Sequence, residues 1–262
     1  MRPVLTRTAS ALVLGLPVVL VVYWGSPLFE LMVAAAAAVL AWEWFRMCGA
    51  GQPRRSGLVL GGVLLAAVAA AAVAGIGAAL AVLLAGALAI LVVAKGEPWL
   101  AAGTLYLGLP CVALLWLRLD PSGGRSVVLW LMGVVWASDI GGYAAGRLIG
   151  GPRLAPLISP NKTWAGLFGA AAAATVVSAG FTLSHANFPV WIAAGCGLML
   201  GLVAQAGDLG ESWVKRRFGV KDAGTLIPGH GGLLDRVDAL MAAILIVAVI
   251  AAADEGVLSR WL

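Results

Sequence analysis

The stretch HGGLLDRVDALMAAILIVAVIAAA, residues 230–253, sets a charged glycine-rich turn directly against a long apolar run. Met241–Ala253 carries no charge, whereas the residues just before it include Asp235, Arg236 and Asp238. A helix needs about 17–25 mostly apolar residues to cross a ~30 Å hydrocarbon core. The segment 237–253 has that length, so its charges stand at the mouth of a membrane span.

The same pattern of apolar run and short polar break recurs along the chain. The sequence is 62% hydrophobic and only 11% charged, with a mean hydropathy of +1.00. Soluble domains carry about 25% charged residues. The composition excludes soluble classes and predicts an all-α integral membrane protein, a polytopic bundle of about nine transmembrane helices. Helices are expected at about 10–24, 28–46, 57–74, 76–93, 98–118, 126–146, 163–183, 188–206 and 237–253. Residues 61–94 read either as two spans or as one long re-entrant pair. The 262 residues suit a single membrane domain. Within it, 1–125 would supply packing spans and a lipid cavity, and 126–253 the catalytic spans and loops. Arg2 and Arg7 precede an apolar run with no cleavage-site pattern, which predicts an uncleaved first helix. Cys48, Cys111 and Cys196 form no CxxC and stand near no histidine pair, so packing is their expected role.

Lys and Arg set the orientation. With nine spans, 14 of the 17 basic residues fall on the side of the N-terminus, leaving Arg118, Arg125 and Arg260 on the other. The positive-inside rule then puts the N-terminus in the cytoplasm and the C-terminus outside. Dispersed over short loops, the net charge of +5 implies topology rather than nucleic acid.

Three polar clusters fall on the predicted cytoplasmic side. WASDIGGYAAGR (136–147) places Asp139 inside an apolar span, a costly position that marks a functional candidate; the plain alternative is a packing contact with Arg147. ISPNKTWAG (158–166) places a lysine and hydroxyls before a helix N-terminus, where free N–H groups favour phosphate. Asn161 or Thr163 can cap that helix, and the plain alternative is an ordinary capped loop. The third cluster, 207–236, holds with Asp238 five of the twelve acids: Asp208, Glu211, Asp222, Asp235 and Asp238. Asp208/Glu211 and Asp235/Asp238 are each spaced i, i+3, so each pair shares a helix face. Folding the break back would bring the two acidic faces together. Carboxylates converging from two segments suit Mg2+, which takes one or two of them plus substrate phosphates. Lys215, Arg216, Arg217 and Lys221 suit the phosphates. The glycines around His230 can form an anion nest.

The run S-x-V-K-R-x4-K-D-x-G-x2-I-P-x-H-G-G-L-x-D-R-V-D, Ser212–Asp238, resembles the signature of the phosphatidate cytidylyltransferase (CDP-diacylglycerol synthase) family. SPNKTWAG, D-x-x-G-Y-x-x-G-R and AWEWFRM (41–47) resemble further marks of that family, which commonly has Ala at Gly142 and Glu at Ala165. The resemblance implies transfer of CMP from CTP to phosphatidic acid, with Mg2+ required and a second, monovalent cation left open. It assigns Asp208 and Asp235 as first metal ligands, with Asp238 third. Lys215 and Lys221 would bind phosphates, Arg236 would clamp one or orient Asp235, and Asp222 would orient Lys221 or join the metal site. His230, with Gly231 and Gly232, would either bind a phosphate or fix the turn. Ser159, Asn161, Lys162 and Thr163 would contact nucleotide or lipid phosphate, and Asp139, Tyr143 and Arg147 would line the same cavity.

The expected setting is a multi-pass protein of the cell inner membrane with its site facing the cytoplasm, where CTP meets a bilayer lipid. Small-residue spans would suit a homodimer. A cytidylyltransferase acting on an ether-lipid phosphate is the nearest alternative. A transporter would need polar residues at mid-depth in several spans, which are scarce here. The CDP-alcohol transferase pattern is absent.

Overall fold

The structure is a computed structural model that describes residues 15–182, 189–226 and 231–253. Helix α1 is described over Gly15–Trp24. It is followed by α2 (Leu28–Cys48), α3 (Arg54–Ala74), α4 (Ile76–Val93), α5 (Pro98–Leu119) and α6 (Gly124–Leu148). Strands β1 (Arg153–Ala155) and β2 (Ser159–Thr163) precede α7 (Trp164–Thr182), α8 (Val190–Arg217) and α9 (Leu234–Ala253). Among the described residues, the eight helices α2–α9 are long and apolar enough to cross a membrane. The protein is an all-α polytopic membrane protein with one small hairpin. The stretch 61–94 forms two separate helices that meet at Gly75, whose φ of 85° lies where an L side chain is strained.

The chain divides into two compact units, residues 1–119 with 222–236, and residues 120–221 with 237–262. In the first, α2 packs on α3 and α5, and α4 packs on α3 and α5. Its interior is built from Phe29, Leu40, Trp44, Leu60, Leu64, Leu83, Leu100 and Leu107, all buried. Leu58, Val73, Leu88 and Val92 point outward, as lipid-facing side chains do. The Trp44 indole donates to the Trp99 carbonyl at 2.8 Å and its ring lies 5.2 Å from that of Tyr106, fixing α2 against α5.

The second unit is organised by small residues. Hydrocarbon gives helices no hydrophobic reason to associate, so close backbone packing must supply the attraction. At Gly141 an added Cβ would lie 2.5 Å from the Gly169 carbonyl, and at Gly169 one would lie 2.7 Å from the Gly141 carbonyl. Only glycine permits this seam between α6 and α7. On the other side of α7, Gly201 of α8 approaches the backbone of Ala170 and Ala171. Trp130 donates to the Ser178 hydroxyl at 3.1 Å, which donates to the Ala193 carbonyl at 2.7 Å, stitching α6, α7 and α8 together.

Two elements differ from the sequence expectation. Helix α8 does not stop at 206 with the apolar run but continues to Arg217. Residues 153–163 form an antiparallel hairpin ahead of α7, Arg153 pairing with Thr163 and Ala155 with Ser159, where the sequence predicted only a loop and a cap.

Candidate active site

Helix α8 has 28 residues, which at 1.5 Å per residue is about 42 Å and exceeds a ~30 Å core. Its C-terminal third therefore projects to the membrane boundary. That third carries Asp208, Glu211, Ser212 and Lys215 on successive turns of one helix. The i, i+3 pairing of Asp208 with Glu211 is thus real, and i, i+4 adds Lys215 to Glu211.

These residues meet the hairpin. Strand β2 delivers Lys162, whose ammonium lies 2.7 Å from Asp208 Oδ2 and 2.8 Å from Gln205 Oε1. Gln205 in turn lies 3.5 Å from the Ser138 hydroxyl, which donates to the Gly201 carbonyl at 3.4 Å. Ser212 donates to Asp208 Oδ1 at 3.4 Å. Arg216 ties the end of α8 to the hairpin through the Ile158 carbonyl at 3.2 Å. Thr163 caps α7, accepting from the Gly166 N–H at 3.0 Å. Ser159 is half-buried and Asn161 exposed on the same strand.

Beneath Lys162 the cluster is buried. Glu211 is 0% exposed and forms an ion pair with Lys215, which is 7% exposed. Asp238, 9% exposed, lies in the electrostatic reach of Asp208, Glu211 and Lys215. An added Cβ at Gly207 would lie 3.0 Å from the Asp238 carbonyl, so a glycine is what lets α9 come this close to α8. The two acidic segments do meet, through Asp238. Three carboxylates face two lysines, and the surplus is negative. Among the described residues no group of three or more His, Cys, Asp or Glu converges on a single ion position.

Asp139, Tyr143 and Arg147 occupy a different, exposed face of α6, at i, i+4 and i+8, with Arg147 donating to the Tyr143 hydroxyl at 3.3 Å. Lys221, Asp222 and Arg236 are exposed. His230 lies outside the described residues.

In the other unit, Asp235 accepts hydrogen bonds from the Ala223 N–H at 3.0 Å and the Gly232 N–H at 2.7 Å. Its carboxylate thereby bridges the two described ends of the signature loop, and Gly231, at φ 82°, makes the turn between them and α9 possible. A second carboxylate, Glu43 of α2, accepts from the Leu233 and Leu234 N–H groups, each at 2.8 Å.

Sequence reasoning did not assign Glu43, Gln205 or Ser138 to the site, and named Glu211 only as a member of an acidic face. Gln205 had a usable signal, standing one turn before Asp208 at the end of an apolar run. Glu43 had one too, being an acid inside an aromatic, apolar helix.

The sequence profile of the cytidylyltransferase family matches residues 5–253. The phosphatidate cytidylyltransferase of Brucella suis biovar 1 (strain 1330) is 40% identical over 251 residues, covering 91% of this chain and 89% of that protein. That of Staphylococcus aureus (strain COL) is 45% identical over 121 residues, 46% of each chain. Agreement extends far beyond the signature to nearly the whole length, and the chain belongs to the cytidylyltransferase family, as a membrane-embedded nucleotidyltransferase.

Proposed function

We propose that the protein transfers CMP from CTP to phosphatidic acid, leaving CDP-diacylglycerol in the bilayer and releasing pyrophosphate. A phosphate oxygen of the lipid forms a bond to the α-phosphorus of CTP as the α–β phosphoanhydride bond breaks. Both reactants are polyanions, so the protein's task is to hold them in line and offset charge. The nucleophile is already ionised, and no serine, cysteine or general base is required.

The observation that carries this reading is the buried lysine–carboxylate cluster at the end of α8, past the apolar part of that helix. The chain's similarity to phosphatidate cytidylyltransferases supports the substrate pair. Lys162 and Lys215 are the cations nearest the carboxylates, and both can turn toward phosphate oxygens when substrate arrives. Asp208 and Asp238 fit Mg2+: they are hard oxygen donors in a site with surplus negative charge, and Mg2+ takes few carboxylates and completes its shell with water and phosphate. When bound, the ion supplies charge neutralisation at the phosphate oxygens. Positive-inside counting supports a cytoplasmic position for this end of α8, where CTP is available.

The test is a vesicle assay with purified protein, labelled CTP and ester- or ether-linked phosphatidate. CDP-lipid and pyrophosphate in equal amounts are expected with the ester lipid. Formation of no CDP-lipid from any phosphatidate overturns the reading, and turnover of the ether lipid alone reassigns the substrate.

A further inference from the structure

We propose that Glu43 is a positioning residue for the reaction, setting the start of α9 and the glycine turn before it. The carboxylate sits on α2, roughly 190 residues from its partners in sequence, and acts through backbone groups that helix formation leaves unpaired.

Glu43 is 0% exposed. An acid buried in a membrane span is expensive, and such residues persist where something specific needs them. Here one carboxylate oxygen accepts from the Leu233 N–H and the other from the Leu234 N–H, both at 2.8 Å. The donors are the residue just before α9 and its first residue, where a negative charge also complements the helix dipole. The geometry is bidentate, so it fixes the direction in which α9 begins as well as its place.

The glycines of the signature make room for this side chain. An added Cβ would stand 2.6 Å from Glu43 Oε1 at Gly224, and also 2.6 Å from it at Gly232. Neither glycine has a positive φ among the described backbone angles, so neither is required by conformation. Their small size is explained by the carboxylate lying between them. The same turn carries Asp235, whose carboxylate accepts from Ala223 and Gly232. Two acids thus hold the signature loop, Glu43 of α2 at residues 233 and 234 and Asp235 of α9 at residues 223 and 232. Trp44, hydrogen-bonded to the Trp99 carbonyl, locks the rotation of α2, so Glu43 projects from a rigid element.

The kinetic arm of the test rests on the activity proposed above; the exchange arm does not. Full-length wild type, Glu43→Gln, Glu43→Ala, Gly232→Ala and the Glu43→Ala/Gly232→Ala double variant are compared in nanodiscs. Glu43→Gln keeps one acceptor oxygen and most of the volume, and covers the case in which Glu43→Ala fails to fold. With the start of α9 misplaced by about 1 Å, kcat in Glu43→Gln is expected to fall by about a hundredfold with KM for CTP little changed. Amide exchange should accelerate in peptides covering 231–240 while α3–α5 stay protected. Gly232→Ala should be damaging alone and far less so once Glu43 is removed, since the colliding oxygen is gone. Near-normal kcat and unchanged exchange in Glu43→Gln, or additive effects of the two substitutions, overturn the proposal. Exchange spread evenly over α2–α5 also overturns it, because that marks general packing. If wild type makes no CDP-lipid, exchange and its coupling to Gly232 still decide.

Discussion

Lys162 Nζ stands 2.7 Å from Asp208 Oδ2 and 2.8 Å from Gln205 Oε1, so a lysine delivered by a hairpin is fixed between two residues one turn apart on α8. The pair is partly exposed, at 16% and 31% of the side-chain surface. Such pairs contribute about 1 kcal/mol or less to stability. Their worth lies in where they hold a positive charge. Lys162→Ala is therefore expected to cut kcat/KM by about 10²–10³-fold, the size of loss seen when one donor to a developing oxyanion is removed. The melting temperature should move by only a few degrees. Lys162→Arg should recover a minority of the activity, because a planar fork does not reproduce a compact ammonium. Steady-state kinetics and thermal unfolding in detergent check all three.

The Glu211–Lys215 pair behaves differently because both partners are buried. Removing one partner strands the other's charge, and the expected cost of Glu211→Gln is about 3–5 kcal/mol. Replacing both, as in Glu211→Leu/Lys215→Met, should return most of that stability while leaving the enzyme inactive, since Lys215 is assigned to phosphate. Urea or thermal unfolding alongside the CDP-lipid assay separates the two effects. A fully active double variant would remove Lys215 from the chemistry.

Chelation of divalent cations should stop turnover, and Mg2+ should restore it. Binding itself can be read without catalysis. At a hundred times its Kd, an ion that binds only the folded state stabilises it by about 2.7 kcal/mol. Mg2+ is expected to raise the melting temperature of wild type and to do so much less for Asp238→Asn or Asp208→Asn. Equal stabilisation of all three would place the ion elsewhere.

Apolar periodicity made the spans legible, and the boundaries of α4, predicted at 76–93, agree with Ile76–Val93. Helix α8 shows where that signal fails. Its hydropathy falls at Gly207-Asp208, yet the backbone continues to Arg217 because LGESWVKRR carries good helix formers and ends in cations that suit a helix C-terminus. The end of greasiness was read as the end of the helix. The hairpin escaped for another reason: so short a strand is recognisable only with its partner, Arg153–Ala155, in view. At the site, the i, i+3 spacing of acids made Asp208 legible, and the later acid Asp238 falls beside it. An acid in an aromatic, apolar helix marked Glu43, but its task was not legible, because the groups it serves are backbone N–H donors, which leave no mark in a sequence.

The length of α8 has one more consequence. A single helix would both span the hydrocarbon and wall the proposed site, so the height of Asp208 relative to the lipid phosphates would depend on how it tilts. Tilt answers to bilayer thickness. A lipid-modifying enzyme built this way is a gauge of the membrane whose composition it changes: thin, short-chain bilayers and thick, long-chain ones present the same headgroup to the same lysine at different levels.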